Sequence, residues 1–174
     1  MKRYCFAGAV SAALLLSSTL AFAQGGARGT AKLELKGQTV SVEYGRPSLN
    51  GRTVQQLIGQ LKAGDVWRLG SNKSTTFSTA VDLAFGDVTV PKGEYSLWAQ
   101  KEADGSWKLV FNKQHGQWGT QHDVAQDVAA APLTETKAGK SAEQVTISLS
   151  KAGSGGEISI QWGEMVLAAK FTAK

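Results

Sequence analysis

Three arginines concentrate in one short part of this sequence, and they have the clearest potential for binding chemistry. Arg46, Arg52 and Arg68 lie within residues 44–76, and every Lys or Arg position after Arg68 holds lysine. A guanidinium group offers a rigid fork of donors that grips a carboxylate, phosphate or sulfate group with two parallel hydrogen bonds. The pattern therefore predicts an anion-binding mouth formed by these three side chains.

Neutral and aromatic groups would complete such a mouth, with neutral hydrogen bonds from Tyr44 and Asn72. The candidate ligand-binding residues are Tyr44, Arg46, Arg52, Arg68, Asn72, Asn112 and Trp118. In the alternative interpretation, the arginines hold a long loop to the rest of the domain by pairing with Glu43, Asp65 or carbonyls at strand ends. Buried arginines need such partners whatever their use.

Other catalytic or metal-binding patterns are weak. The two histidines, His115 and His122, stand seven residues apart on a glycine-containing stretch, with Asp123 beside the second. That spacing is not typical of a metal site. The sequence has no Gly-x-Ser-x-Gly elbow, and its acids show no order that picks out a catalytic pair. We therefore predict no catalytic residue, no metal ligand and no cofactor.

The five tryptophans divide into two groups by their position in the alternating pattern. Trp107 and Trp162 share parity with apolar neighbours, which favours the core. Trp98 is off the inward parity and Trp118 lies in a polar stretch, so both are expected at the surface, where an aromatic ring can serve as a stacking platform.

The first residues have the pattern of an export signal. Lys2 and Arg3 precede an apolar run over residues 6–20, and Ala21-Phe22-Ala23 has the small-x-small form of a cleavage site. We predict a signal peptide over residues 1–23 and a periplasmic or extracellular protein, with no membrane span after cleavage. The single cysteine, Cys5, would leave with the signal, so the mature chain would have no disulfide. The modest net charge of +5 lacks the clustered basic face that nucleic-acid binding needs.

Short alternating segments separated by turns fill the remainder. Residues 24–30 are rich in glycine and predict a flexible leader, and residues 31–174 predict a single domain of about nine strands. Strands at hairpin spacing without intervening helices indicate an all-β fold, either an antiparallel β-sandwich or a jelly-roll-like barrel. One short helix is predicted over residues 53–61, with Thr53 and Gln56 in capping-box spacing, and we expect it to lie across one open end.

Several motifs in a fixed order resemble a known family. They are Val42-Glu43-Tyr44-Gly45-Arg46-Pro47-Ser48, Gly51-Arg52, Val66-Trp67-Arg68-Leu69-Gly70-Ser71-Asn72, Thr75-Thr76-Phe77, Pro91-Lys92-Gly93-Glu94-Tyr95-Ser96-Leu97, Phe111-Asn112-Lys113 and Gln117-Trp118-Gly119. Together they are similar to domain-of-unknown-function family 2911 over about residues 33–162. The resemblance implies a secreted bacterial β-sandwich domain and carries no established activity.

Three functions are compatible with these observations. The first is an exported binding module for a small anionic or polar ligand, or for an acidic envelope surface, at an arginine-lined cleft. The second is a hydrolase or isomerase in which the arginines hold a carboxylate and His115 or Asn112 supplies the chemistry. The third is a structural envelope domain. An enzyme should place a histidine or carboxylate within hydrogen-bond reach of the arginines, whereas a structural domain should have its arginines fully paired.

Overall fold

The computed structural model describes residues 28–174. The predicted signal peptide, and the predicted leader up to residue 27, lie outside the described residues. The strands are β1 (Arg28–Leu35), β2 (Gln38–Gly45), β3 (Val66–Trp67), β4 (Thr75–Thr79), β5 (Leu83–Phe85), β6 (Val88–Val90), β7 (Gly93–Lys101), β8 (Trp107–Asn112), β9 (Asp127–Ala152) and β10 (Gly155–Ala173). The helix α1 spans Val54–Ile58, and a single 3₁₀ turn spans Val124–Gln126.

The strands form one antiparallel sheet, in the order β1-β2-β4-β7-β8-β9-β10-β5-β6, with β3 paired to β7. The predicted all-β antiparallel class is confirmed. The described residues hold ten strands, and the sheet is not closed into a barrel. Strand β1 begins at Arg28, so it includes the last three residues of the predicted leader, 28–30.

Two long strands, β9 and β10, connect the two parts of this sheet, which are β1-β2-β4-β7-β8 on one side and β5-β6 on the other. The first residues of β9 pair with β8, from Asp127 to Leu133, and its later residues pair with β10, from Thr134 to Ala152. The end of β10 then pairs with β5. The exposed middle of β9 lacks an apolar alternation, so its sequence alone indicates shorter strands than the structure has.

One hydrophobic core joins both parts of the sheet. Alternate residues of β2, β4, β7 and β8, such as Val42, Phe77 and Phe111, share a buried cluster with Ile160 of β10 and Phe85 of β5. Since adjacent residues of a strand face opposite sides, the polar residues between them belong to the outer face. The predicted core positions of Trp107 and Trp162 are confirmed, as both belong to the cluster.

Residues 113–126 form a loop that covers part of this outer face, and we call it the 113–126 loop. Trp98 and Val110 form a cross-strand pair outside the core cluster, yet each is at most 2% exposed. The ring of His122 lies against Trp98, with 4.8 Å between ring centroids. The expected surface position of Trp98 is therefore wrong, because a distant loop covers it. Trp118, within the loop, is 52% exposed.

The helix is present but shorter than predicted. The side chain of Thr53 accepts the backbone N–H of Gln56, and Gln56 accepts the N–H of Thr53 in return, so the predicted capping box is confirmed. The helix ends at Ile58, with Gly59 as its C-cap. Among residues 28–174, no helix has the length and apolar character needed to cross a membrane.

Candidate functional site

A break in the pairing of β9 and β10 opens a cleft beside α1. Ala142 pairs with Gly163, and the next pair is Lys137 with Met165, so residues 138–141 of one strand stand opposite residue 164 of the other. Extra residues in one strand of an antiparallel pair form a bulge, which bends the strand and interrupts its hydrogen bonds. The two strands therefore separate locally.

Gly163 allows the helix to approach this bulge. Its φ of 58° lies in the left-handed region, which favours glycine. A Cβ at this position would also lie 2.9 Å from Cγ2 of Val54 and 3.7 Å from Cδ1 of Leu49. The start of α1 consequently packs directly on the bulged backbone and forms one wall of the cleft.

The cleft has a volume of about 890 Å³, within the range of small-molecule sites. Its lining combines apolar groups with several charged and hydroxyl side chains. The lining residues are Leu49, Arg52, Thr53, Val54, Gln55, Glu135, Thr136, Lys137, Ser141, Gly163, Glu164 and Met165.

Arg52 supplies the cationic donor of the cleft. Its Nε donates to the carbonyl oxygen of Leu49 at 3.0 Å, which fixes one edge of the guanidinium. Among the described residues, no carboxylate lies within ion-pair distance of Arg52, and its two terminal nitrogens donate no hydrogen bond. The terminal amino groups are thus free for a ligand.

The other charged groups of the cleft already have partners. Nζ of Lys137 lies 2.9 Å from Oε2 of Glu164. The hydrogen bond to Glu164, followed by the attraction between the charges, raises the pKa of Lys137 above its ordinary value. Oε2 of Glu135 accepts a hydrogen bond of 3.0 Å from Nε1 of Trp107. Arg52 therefore differs from the other charged residues of the lining.

The predicted ligand-binding residues do not share one cavity. Of the seven, Arg52 alone lines the cleft. Tyr44 is buried, and its hydroxyl donates to the carbonyl oxygen of Ile147 at 3.2 Å, so it ties β2 to β9. Arg46 is exposed just after β2. The three guanidinium groups consequently do not form the single mouth that the sequence suggested.

Three others, Arg68, Asn72 and Trp118, come together at a second place. The carbonyl oxygen of Asn72 accepts the N–H of Gly119 at 2.7 Å, and Lys73 pairs with Trp118 in an isolated bridge. A Cβ on Gly119 would lie 3.2 Å from Cδ of Arg68. This region belongs to the loop of residues 68–73, which we call the 68–73 loop.

Asn112 belongs to a third group, a hydrogen-bonded network under the 113–126 loop. Its Nδ2 donates to the carbonyl oxygen of Asp123 at 2.7 Å and to Oδ1 of Asp127 at 2.6 Å. Its Oδ1 accepts the N–H of Gln114 at 2.9 Å. Nε2 of His122 lies 2.9 Å from the same oxygen of Asp127. Asn112 is fully buried and uses its polar atoms to hold the loop to the sheet.

The two acids proposed as partners of the arginines in the structural interpretation have other partners, although Arg52 does donate to a backbone carbonyl, that of Leu49. Glu43 pairs with Arg28, and Asp65 accepts the backbone N–H of Lys62 at 2.8 Å. Within the described part of the chain, Arg46 and Arg68 make no ion pair or side-chain hydrogen bond. The sequence alone does not predict these pairings, because it does not show which acid lies beside a given arginine in the fold.

The described residues contain no group of three or more His, Cys, Asp or Glu side chains that could hold a metal ion. His115 is exposed, and its Nε2 lies 3.9 Å from a carboxylate oxygen of Glu94. Neither histidine lines the cleft.

Sequence reasoning missed several residues of the cleft, including Glu135, Lys137, Ser141 and Glu164. One signal was available. Gly163 interrupts an alternating segment after Trp162, and an isolated glycine in a strand pattern indicates a bulge or a close backbone approach.

The geometry defines an all-β domain with one bulge-lined cleft, and comparison with known proteins adds its family. Residues 27–171 match the family model described as protein of unknown function (DUF2911), and the chain belongs to this family. No curated protein and no solved structure matches the chain.

Proposed function

We propose that this protein is a binding module that holds a small anionic or polar ligand in the cleft between α1, β9 and β10. The observation that carries the proposal is the Arg52 guanidinium, anchored through Nε to Leu49 while its terminal amino groups have no partner in the described chain. Such a group is preorganised to bind a carboxylate or phosphate group by donating two parallel hydrogen bonds to it.

The lining supports binding more than chemistry. The two acids, Glu135 and Glu164, already accept hydrogen bonds from Trp107 and Lys137. No histidine stands among the lining residues, and the two carboxylates would have to leave their present partners before they could transfer a proton to or from a substrate. The hydroxyl of Ser141 and the amide of Gln55 provide further polar contacts for a ligand.

We also propose that the protein acts outside the cytoplasm, in the periplasm or the extracellular space. The support is the pattern of residues 1–23, with its basic start, apolar run and small-residue cleavage site. N-terminal sequencing of the protein recovered from the producing cell would test this, since a chain that begins at Met1 would contradict the proposal.

A thermal-shift screen followed by calorimetry tests the binding proposal. The panel contains short carboxylic acids, phosphate and sulfate esters, and neutral sugars. A ligand at a hundred times its Kd should stabilise the domain by about 2.7 kcal/mol. The Arg52→Ala change should weaken that ligand at least tenfold, and Ser141→Trp, which fills the cleft, should abolish binding.

The matched control is Lys32→Ala, which removes an exposed positive charge from β1, away from the cleft lining. It should leave the affinity unchanged. The proposal is overturned if no compound of the panel stabilises the wild type, or if the compound that does binds Arg52→Ala and Ser141→Trp as tightly as the wild type.

A further inference from the structure

The 68–73 loop has a backbone conformation that few side chains adopt. Leu69 has a φ of 54° and Asn72 a φ of 62°, whereas the two residues between them are outside this left-handed region. For a bulky residue such as Leu69, which is fully buried, this conformation is strained. Backbone strain of this kind persists only where the surroundings enforce it, and it is concentrated at binding and catalytic sites.

Two sets of contacts enforce the conformation. The hydroxyl group of Thr75 lies 3.3 Å from the carbonyl oxygen of Arg68 and 3.2 Å from that of Leu69. On the other side, the loop lies against β2 so closely that a Cβ on Gly45 would lie 2.2 Å from the carbonyl oxygen of Ser71. The loop is thus held in place before any ligand arrives.

The conformation leaves a run of backbone donors unused. Among the described residues, no acceptor takes the N–H groups of Gly70, Ser71, Asn72 and Lys73. The bridge between Lys73 and Trp118 uses the atoms of the neighbouring residues instead. Successive N–H groups in a turn form an anion-binding concavity known as a nest, and the left-handed conformations of Leu69 and Asn72 turn the backbone at this segment.

The positive side chains around the loop have no acid beside them. Arg46 follows Gly45, which contacts Ser71, and Arg68 begins the loop. Neither guanidinium has a carboxylate partner in the described chain. Residues 66–76 and 113–122 contain no Asp or Glu, and the nearby Glu43 pairs with Arg28. The electrostatic field at this place is therefore positive.

We infer that the 68–73 loop is a binding site for a phosphate or sulfate group, separate from the cleft. The backbone N–H groups of residues 70–73 would hold the oxyanion, with Arg46 and Arg68 as charged donors. Trp118 pairs with Lys73 at a non-hydrogen-bonded position, where side chains stand closest, and its exposed indole offers a stacking face for a ring that bears the oxyanion. The site does not depend on Arg52.

Backbone amide NMR tests the inference directly. Inorganic phosphate and inorganic sulfate are each titrated into the protein at constant ionic strength, with chloride as the balancing salt. The amide signals of Gly70 to Lys73 should move to saturation with phosphate or sulfate and not with chloride. The double variant Arg46→Ala with Arg68→Ala should weaken this binding at least tenfold, whereas Arg52→Ala should leave it unchanged.

A second arm identifies the source of the oxyanion. Vesicles that contain phosphatidylglycerol are compared with vesicles of phosphatidylcholine alone, in a sedimentation assay. Loss of vesicle binding in the double variant would support a lipid headgroup as the ligand, whereas phosphate binding without vesicle binding would support a free ester.

The inference is overturned if the amide signals respond equally to phosphate and chloride, or if the double variant binds as the wild type does. Arg46 is exposed, so Arg46→Ala alone should keep the fold and serves as the test if the double variant does not fold. Because the cleft proposal depends on Arg52→Ala and this one does not, either proposal can fail while the other stands.

Discussion

The outer face under the 113–126 loop and the cleft between α1, β9 and β10 both gather polar side chains, but they use them differently. Under the loop, Asn112, Asp127 and His122 satisfy one another and the backbone. At the cleft, Arg52 has one anchored nitrogen and two unused ones. Buried polar groups that are fully paired make a structure rigid, whereas unpaired donors at an opening remain available for a ligand. The first region therefore has a structural role, and the second is the place where we propose that a ligand binds.

The largest effect should come from Asn112→Ala under the loop. The change removes three hydrogen bonds from a fully buried position and leaves the Gln114 N–H without a partner, whereas the Asp123 carbonyl oxygen keeps the N–H of Gln126. The free energy of unfolding should fall by about 2–4 kcal/mol, measured from urea denaturation. The exposed neighbour Gln114→Ala should change it by less than about 0.5 kcal/mol. If the two variants lost the same free energy of unfolding, the Asn112 network would not have the structural role that distinguishes it from the cleft.

A change in the shape of the cleft should reduce the free energy of unfolding more than the loss of one of its polar groups does. Gly163→Ala places a methyl group on a residue with a φ of 58°, against Val54. We expect a loss of about 2 kcal/mol in the free energy of unfolding. Gly153→Ala is the control for conformation alone, because its φ is also 58° and no atom lies within 4 Å of the added group. If the two variants were equally stable, the helix would not be packed tightly on the bulge.

The two histidines should differ, although they lie on the same loop. His122→Ala removes a ring that contacts Trp98 and a hydrogen bond to Asp127, and the expected loss is about 1 kcal/mol. Trypsin should then cleave faster after Lys113, because the loop is held less firmly. His115→Ala should alter neither stability nor cleavage, since His115 is exposed and 3.9 Å from Glu94. A larger effect of His115→Ala would contradict the assignment of the network.

The smallest effect should come from Arg52→Ala. The side chain is exposed and loses a single hydrogen bond, to Leu49. The free energy of unfolding should change by less than about 0.5 kcal/mol, measured by the same denaturation. A loss above about 2 kcal/mol would show that Arg52 has a structural role, which would weaken the contrast between the two regions.

The sequence predicted the secondary-structure elements, because these depend on residues that are close together in the chain. Apolar residues alternate over Val40, Val42 and Tyr44, as is typical of a strand, and this segment is β2. The spacing of Thr53 and Gln56 predicted the start of α1. The cleft could not be predicted in the same way, because it arises from the register between β9 and β10. That register is set by the pairing of two whole strands, and Gly163 was its single local sign.

Side-chain partners were also beyond the sequence. The sequence suggested that Arg46, Arg52 and Arg68 form one mouth, whereas Arg52 lines the cleft and Arg68 lies beside Gly119 at the 68–73 loop. Trp98 was expected at the surface from its parity, and the 113–126 loop covers it. Both differences concern residues far apart in the chain, where local patterns carry no information.

The β9–β10 hairpin also affects the order in which the chain can fold. Its strands meet at a tight turn between Ala152 and Gly155, so the pairs next to that turn close very short loops. Contacts between β1 and β9 join residues about a hundred positions apart, and closing so long a loop costs more entropy and slows folding. We expect the pairing of β9 with β10 to start at this turn and to extend from there towards the bulge. The cleft would then form only after the pairing has passed Gln161.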